Sequence, residues 1–154
     1  MVSSLKACRT LCEISGWRTS NLRAQKVLYF AHMHLLGLKD KPLINETFQA
    51  WDYGPVAPNL YHTVKMFGKH PIQKFVLPKE GVEPDTIEYE IIKVLHQVTH
   101  KQHYSSLIRS AHWENGAWYD VYDPGVPHID IPNDRIKKEF HDREELRREA
   151  QSEI

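Results

Sequence analysis

A chain of 154 residues and 18.1 kDa has room for one compact domain and not for a second. Hydrophobic residues make up 41%, enough for a core, while a mean hydropathy of −0.54 and the lack of any apolar run near ~18 residues exclude a membrane span. Twenty Lys and Arg offset twenty Asp and Glu, so no excess cation is available to neutralise a phosphate backbone, and nucleic-acid binding is disfavoured. The N-terminus lacks a basic, apolar, small-residue leader, and Cys8 and Cys12 are too few for a disulfide framework. Both are read as free thiols, and the expected compartment is the cytoplasm.

From the N-terminus, Leu5, Cys8, Leu11, Cys12 and Ile14 recur at spacings of three and four, which predicts an amphipathic helix ending at Ser15-Gly16. Ser20 or Asn21 caps a second helix with a stripe of Ala24, Leu28, Ala31 and Leu35. Val27, Tyr29, Phe30, Met33 and Leu36 cover its other faces, so it belongs at the centre of the fold, with Gly37 as its expected stop. Residues 48–53 alternate weakly and read as a short half-buried strand that Gly54 and Pro55 end. Pro58 opens a short third helix that stops at Gly68. Residues 70–84 contain three prolines and are expected to be a loop with at most one edge strand, at Phe75-Val76-Leu77. Ile87, Ile91, Val94, Leu95 and Val98 then keep helical period to about residue 101, behind a cap at Asp85 or Thr86. Ser105 is the expected cap of the next helix, and His112 to Tyr122 reads as an aromatic loop. The last helix starts near Asn133, buries Ile136 and Phe140, and continues as a solvated charged tail. Its acid-first pairs at spacing four, Asp134 to Lys138, Glu139 to Arg143 and Glu144 to Arg148, are each worth ~0.3 to 0.5 kcal/mol. The predicted fold is mainly α: a single domain of about six helices with one short β-strand or hairpin, over residues 1–142, followed by a helical tail at 143–154.

Ten histidines raise the question of metal. His96, His100 and His103 have the best spacing, since positions three and four apart share a helix face, which would suit a metal-dependent enzyme. Gln97 stands where a helical zinc motif carries its general base, and a helix break near Lys101 separates the third histidine, so surface histidines are the preferred reading and no metal is assigned. His32 and His34 diverge by ~200° around a helix and cannot share an ion; they read as core or interface histidines. Cys8 and Cys12 lack two further zinc ligands. Ser105 and Ser106 stand near His103 without a nucleophile elbow, and no glycine-rich phosphate cradle occurs. No catalytic residues and no cofactor are assigned.

The aromatic residues stand out: Trp51, Tyr53, Tyr61, Trp113, Trp118, Tyr119 and Tyr122, several beside glycine or proline. Trp and Tyr supply large contact area at low entropic cost and dominate binding hot spots, although each can equally pack a small core. This pattern favours a binding module over an enzyme.

The run Lys26-Val27-Leu28-Tyr29-Phe30-Ala31-His32, then Phe48 through His62 with its Ala-Trp-Asp-Tyr-Gly-Pro-Val-Ala-Pro core, then Phe67-Gly68, resembles the Panacea domain family, which includes SocA-like and GepA-like proteins. The C-terminal half fits more loosely: Leu107 to His112 and Ala117-Trp118 stand where the family has Leu-x-x-Leu-Thr-His and Pro-Trp. The resemblance covers roughly residues 5–142. It implies a mostly helical antitoxin that neutralises a cognate toxin by direct contact, with a SocA-like adaptor role toward a AAA+ protease as a further use. The partner-binding candidates are Trp51, Tyr53, Gly54, Pro55, Tyr61, His112, Trp113 and Trp118, the last expected to project from the aromatic loop. Within the motif, Gly54 suits a positive φ and Pro55 and Pro58 stiffen the turn, so fold maintenance and partner contact compete as explanations. Besides the His-cluster enzyme, the remaining alternative is a DNA-binding helical regulator, which the neutral charge balance disfavours.

Overall fold

Ten consecutive residues, Ala24 to Met33, are buried in one helix, α2 (Asn21–Lys39), which places it at the centre as its all-round apolar surface requires. The computed structural model describes residues 1–153. Around α2 stand α1 (Ser4–Ile14), α3 (Pro58–Val64), α4 (Ile87–Thr99), α5 (Tyr104–Ala111), α6 (Ala117–Val121) and α7 (Asn133–Ser152). A small antiparallel sheet in the order β2-β1-β3 completes the domain: β1 (Gln49–Trp51), β2 (Gly54–Val56) and β3 (Ile129–Asp130). Helices α4, α5 and α7 pack directly on α2, α1 packs on α4 and α3, and β2 lies against α2. The fold is mainly α, as the sequence predicts.

Side-chain caps set most helix starts. Ser3, Ser20 and Thr86 accept the backbone N–H of Lys6, Arg23 and Tyr89, relieving orphan donors in the first turns of α1, α2 and α4. At α5 the capping acceptor is the His103 ring, which takes the Ser105 N–H; Ser105, the expected cap, lies inside the helix, two positions after the observed one.

Gly37 does not stop α2. The helix runs on to Lys39 and closes at Asp40, whose φ of 56° is the left-handed C-cap conformation. Gly37 instead admits a neighbour: a Cβ built there would lie 1.9 Å from the Phe140 ring of α7. The absent side chain is therefore a packing requirement between two helices.

Three further expectations are revised. The segment 48–53 supplies β1 of a hairpin, one of the two forms the predicted fold allows, and the revision concerns Gly54, which opens β2 opposite Trp51 instead of ending the strand. Residues 70–84 carry a 3-10 turn at Lys74–Val76 in place of an edge strand, with Phe75 exposed. The aromatic stretch after His112 contains α6, because Gly116 and the 117–121 segment wind onto α7.

Helix α7 is continuous from Asn133 to Ser152, and Ile136 and Phe140 are buried as expected. Of the acid-first pairs, Glu139 and Arg143 meet at 2.7 Å, while the other ion pairs formed along the helix are Lys138 with Asp142 and Arg147 with Glu144. Glu139 is only 1% exposed and is far from a surface pair: it also accepts the Tyr29 hydroxyl at 2.8 Å and the Ala117 N–H at 3.0 Å. Burial, and then the Glu139 charge, hold the Tyr29 phenol well above its ordinary pKa.

His32 ties the same core together. Its Nδ1 accepts the N–H groups of Leu43 and Ile44 at 3.1 and 3.3 Å, so the proton sits on Nε2, which donates to Asn133 Oδ1 at 2.9 Å. Burial lowers its pKa from 6.5 to about 4. The unfolded chain takes up this proton below pH 6.5 and the folded chain only near pH 4, so the contribution is complete above 6.5 and is lost as pH falls through that window. Denaturant melts are expected to show stability falling by roughly 3 kcal/mol between these limits. A His32→Gln variant, weaker at pH 7, should lose most of the slope.

A second expectation concerns Gly37. Alanine is better than glycine in a helix by ~1 kcal/mol, yet Gly37→Ala should destabilise the domain by ~1 to 2 kcal/mol because overpacking against Phe140 outweighs propensity. A raised thermal midpoint would contradict this.

Candidate partner-binding groove

The hairpin is held on α2 by side chains reaching its backbone. Gln25 accepts the Ala57 N–H at 2.7 Å and donates to the Ala57 carbonyl at 3.3 Å, forming a two-point clamp. Lys26 is fully buried and donates from Nζ to the Pro55 carbonyl at 2.9 Å; burial pulls its pKa from 10.5 to about 7. Gly54 lies directly over this lysine. With φ of 112° and only 2.7 Å between an added Cβ and Lys26 Cε, the position excludes a side chain on two grounds.

From behind, Trp118 supports the hairpin. It is 6% exposed, donates from Nε1 to the Trp51 carbonyl at 2.7 Å, and is stacked between His112 at 3.8 Å and Tyr122 at 4.3 Å. It does not project from a loop. Tyr122 reaches across to donate its hydroxyl to Asp52 at 2.5 Å, which braces the hairpin turn. The neighbouring His112 Nε2 is buried without a hydrogen-bond partner, and burial lowers the pKa of that ring.

On its outer side the hairpin forms the wall of a groove of about 580 Å³, lined by Leu22, Lys26, Trp51, Tyr53, Tyr61 and His128 among others. Trp51 is half-buried, stacked on His128 at 4.0 Å with the rings 15° apart, and meets Tyr61 edge-on at 4.7 Å. Tyr53 stands at the hairpin tip, 68% exposed, and Val126 on the opposite 124–127 loop is also exposed. Rigid aromatic faces beside open apolar side chains suit a protein partner better than a small polar substrate.

Of the eight residues singled out by sequence, Trp51, Tyr53 and Tyr61 share the groove, while Gly54 and Pro55 are buried in the hairpin that walls it and do not line it. His112 and Trp118 lie behind that wall. Trp113 is elsewhere, under the Arg143 guanidinium at 4.7 Å and beside a cleft between α6 and α7. Sequence reasoning missed Gln25 and Lys26 as hairpin holders, although a lysine inside an otherwise apolar helix face is a legible signal. His128 arrives from a distant loop and carries no local signal.

The other constellations take structural roles. His96 and His100 stack at 5.2 Å, His100 Nδ1 lies 3.1 Å from the Gln97 carbonyl, and His103 is the α5 cap. Among the described residues no group of three His, Cys, Asp or Glu is placed to hold a metal ion. Cys8 and Cys12 are buried free thiols with sulfurs 4.0 Å apart; their mutual contact and then burial push the Cys8 thiol pKa up. No helix among the described residues is long and apolar enough to cross a membrane.

A helical domain whose one hairpin carries an aromatic groove is the class that fold and geometry define. The family model for the antitoxin SocA-like Panacea domain matches residues 24–119, more than half of the chain, including β1, β2 and the α2 clamp beneath them. The chain belongs to this antitoxin family. It is also similar to Antitoxin SocA of Caulobacter vibrioides (strain NA1000 / CB15N), at 55% identity over 42 residues, covering 27% of this chain and 22% of that protein. The match thus spans about a fifth of the curated relative's length. No solved structure matches the chain.

The Gly54 geometry predicts that Gly54→Ala destabilises the domain by ~1 to 3 kcal/mol, through the positive φ and the contact with Lys26. An unchanged thermal midpoint would show that the motif glycine is not a backbone requirement.

Proposed function

We propose that this protein is an antitoxin that binds and neutralises a cognate toxin through the hairpin groove, without catalysis of its own. The observation that carries the reading is that the family-matched segment spends two buried polar groups, Gln25 and Lys26, on the hairpin backbone, and leaves Trp51, Tyr53 and Tyr61 on the outer face. Trp51 and Tyr61 are pre-ordered by His128 and by each other, which lowers the entropic cost of docking. Gly54, Pro55, His112 and Trp118 serve the interface by holding its shape. Trp113 lies outside the groove and belongs to the interface only if the partner extends toward α7.

The test is co-expression with the product of the adjacent gene. Tyr53→Ala removes an exposed side chain, so its stability should stay within ~0.5 kcal/mol of the parent, while affinity for the toxin falls at least ~10-fold. Trp118→Ala provides the contrast, losing stability by ~3 kcal/mol and affinity in step with it. Full protection by a folded Tyr53→Ala, Trp51→Ala double variant would refute the groove. Toxin half-life in cells separates the two modes of neutralisation: contact leaves it unchanged, whereas delivery to a AAA+ protease shortens it.

A further inference from the structure

Helix α4 carries more apolar surface than the domain uses. Ile92, Leu95 and Thr99 face the core, yet Ile87, Val94 and Val98 are 40, 38 and 60% exposed. With Ile91, which packs only at the edge of the core, these residues fall at successive spacings of four, three and four. That is the period of a helix-pairing seam, about 16 Å long. A surface helix normally turns charge to water here, and this one turns a second apolar stripe.

The charges around the stripe are divided along the helix. Exposed Glu83, Asp85 and Glu90 lie at or before its first half, whereas Lys93, His100 and Lys101 follow, with no acidic residue between Ile91 and Tyr104. A parallel neighbour of the same kind would set acid against acid. An antiparallel one sets each acidic end against a basic end.

We infer that this face is a two-fold interface between two copies of the chain, paired antiparallel along α4. The axis passes between Ile91 and Val94, so that Ile87 of each copy meets Val98 of the other and Ile91 meets Val94. In that register Lys101, just past the end of α4, comes near the Glu83–Asp85 segment that leads into α4 of the second copy. A seam of four residues per copy belongs to the small, reversible class of interfaces. This surface is separate from the hairpin groove, and its test requires no toxin.

Sedimentation equilibrium of the full chain should give a mass that rises with concentration from 18.1 kDa toward twice that value. Val98→Glu should raise the dissociation constant at least ~10-fold with an unchanged thermal midpoint, because Val98 is already open to water. Lys101→Glu and Glu83→Lys should each weaken pairing by about threefold, and an equimolar mixture of the two variants should recover it, since opposite charges then face each other at both ends. A chain that stays monomeric to millimolar concentration overturns the inference, as does a dimer indifferent to Val98→Glu. Loss of toxin capture by a Val98→Glu chain that is monomeric with or without the substitution would assign the stripe to the toxin and likewise overturn it.

Discussion

The hairpin and everything built on it depend on two neighbouring polar side chains inside the most deeply buried helix of the protein. A helix buried on all sides offers no place for an exposed amine or amide, so Gln25 and Lys26 must find acceptors within the fold. Both find them in one stretch of backbone, Pro55 to Ala57, which edge strands leave partly unpaired. Each side's need is met by the other. The cost of burying the amine is visible in its pKa of about 7, and the absence of a side chain at Gly54 lets the backbone come close enough to meet it.

Around that clamp the structure divides into support and display. Trp118, stacked between His112 and Tyr122, takes the Trp51 carbonyl from one side, and Tyr122 takes Asp52 at the turn. Glu139 joins α7 to α2 through Tyr29 and to α6 through the Ala117 N–H, so the helix bearing Trp118 is itself fixed to the core. Such buried networks rigidify the surface above them and hold its aromatic side chains in fixed positions. The Panacea motif is therefore mostly a description of support, and its outward-facing residues are few.

Much of the helical framework is legible from residue order. The periodicity of α1, α2, α4 and α7 and the caps at Ser20 and Thr86 are local features, set by spacing within a turn or two. The groove is legible in part: Trp51, Tyr53 and Tyr61 lie close in sequence and stay close in space. His128 and Tyr122 join them through chain reversals that no local pattern specifies. Gly37 illustrates the opposite failure, since a glycine late in a helix looks like a stop until Phe140, about a hundred residues away, is seen against it.

By itself, the sequence determined the class of fold, the central place of α2 and the aromatic character of the hairpin, because hydrophobic period and turn chemistry act over a few residues. Only the tertiary structure decided which of those aromatics face outward. Whether Trp118 supports or Tyr53 displays depends on which donors and acceptors meet across 67 positions of chain, as they do between Trp118 and Trp51. The same holds for α4, whose sequence announces an apolar helix but leaves open which of its two apolar stripes the core takes. Packing against α1 and α2 claims Ile92 and Leu95 and leaves Val94 and Val98 to water. Burial belongs to the assembled surface, and a single helix, read alone, has no inside.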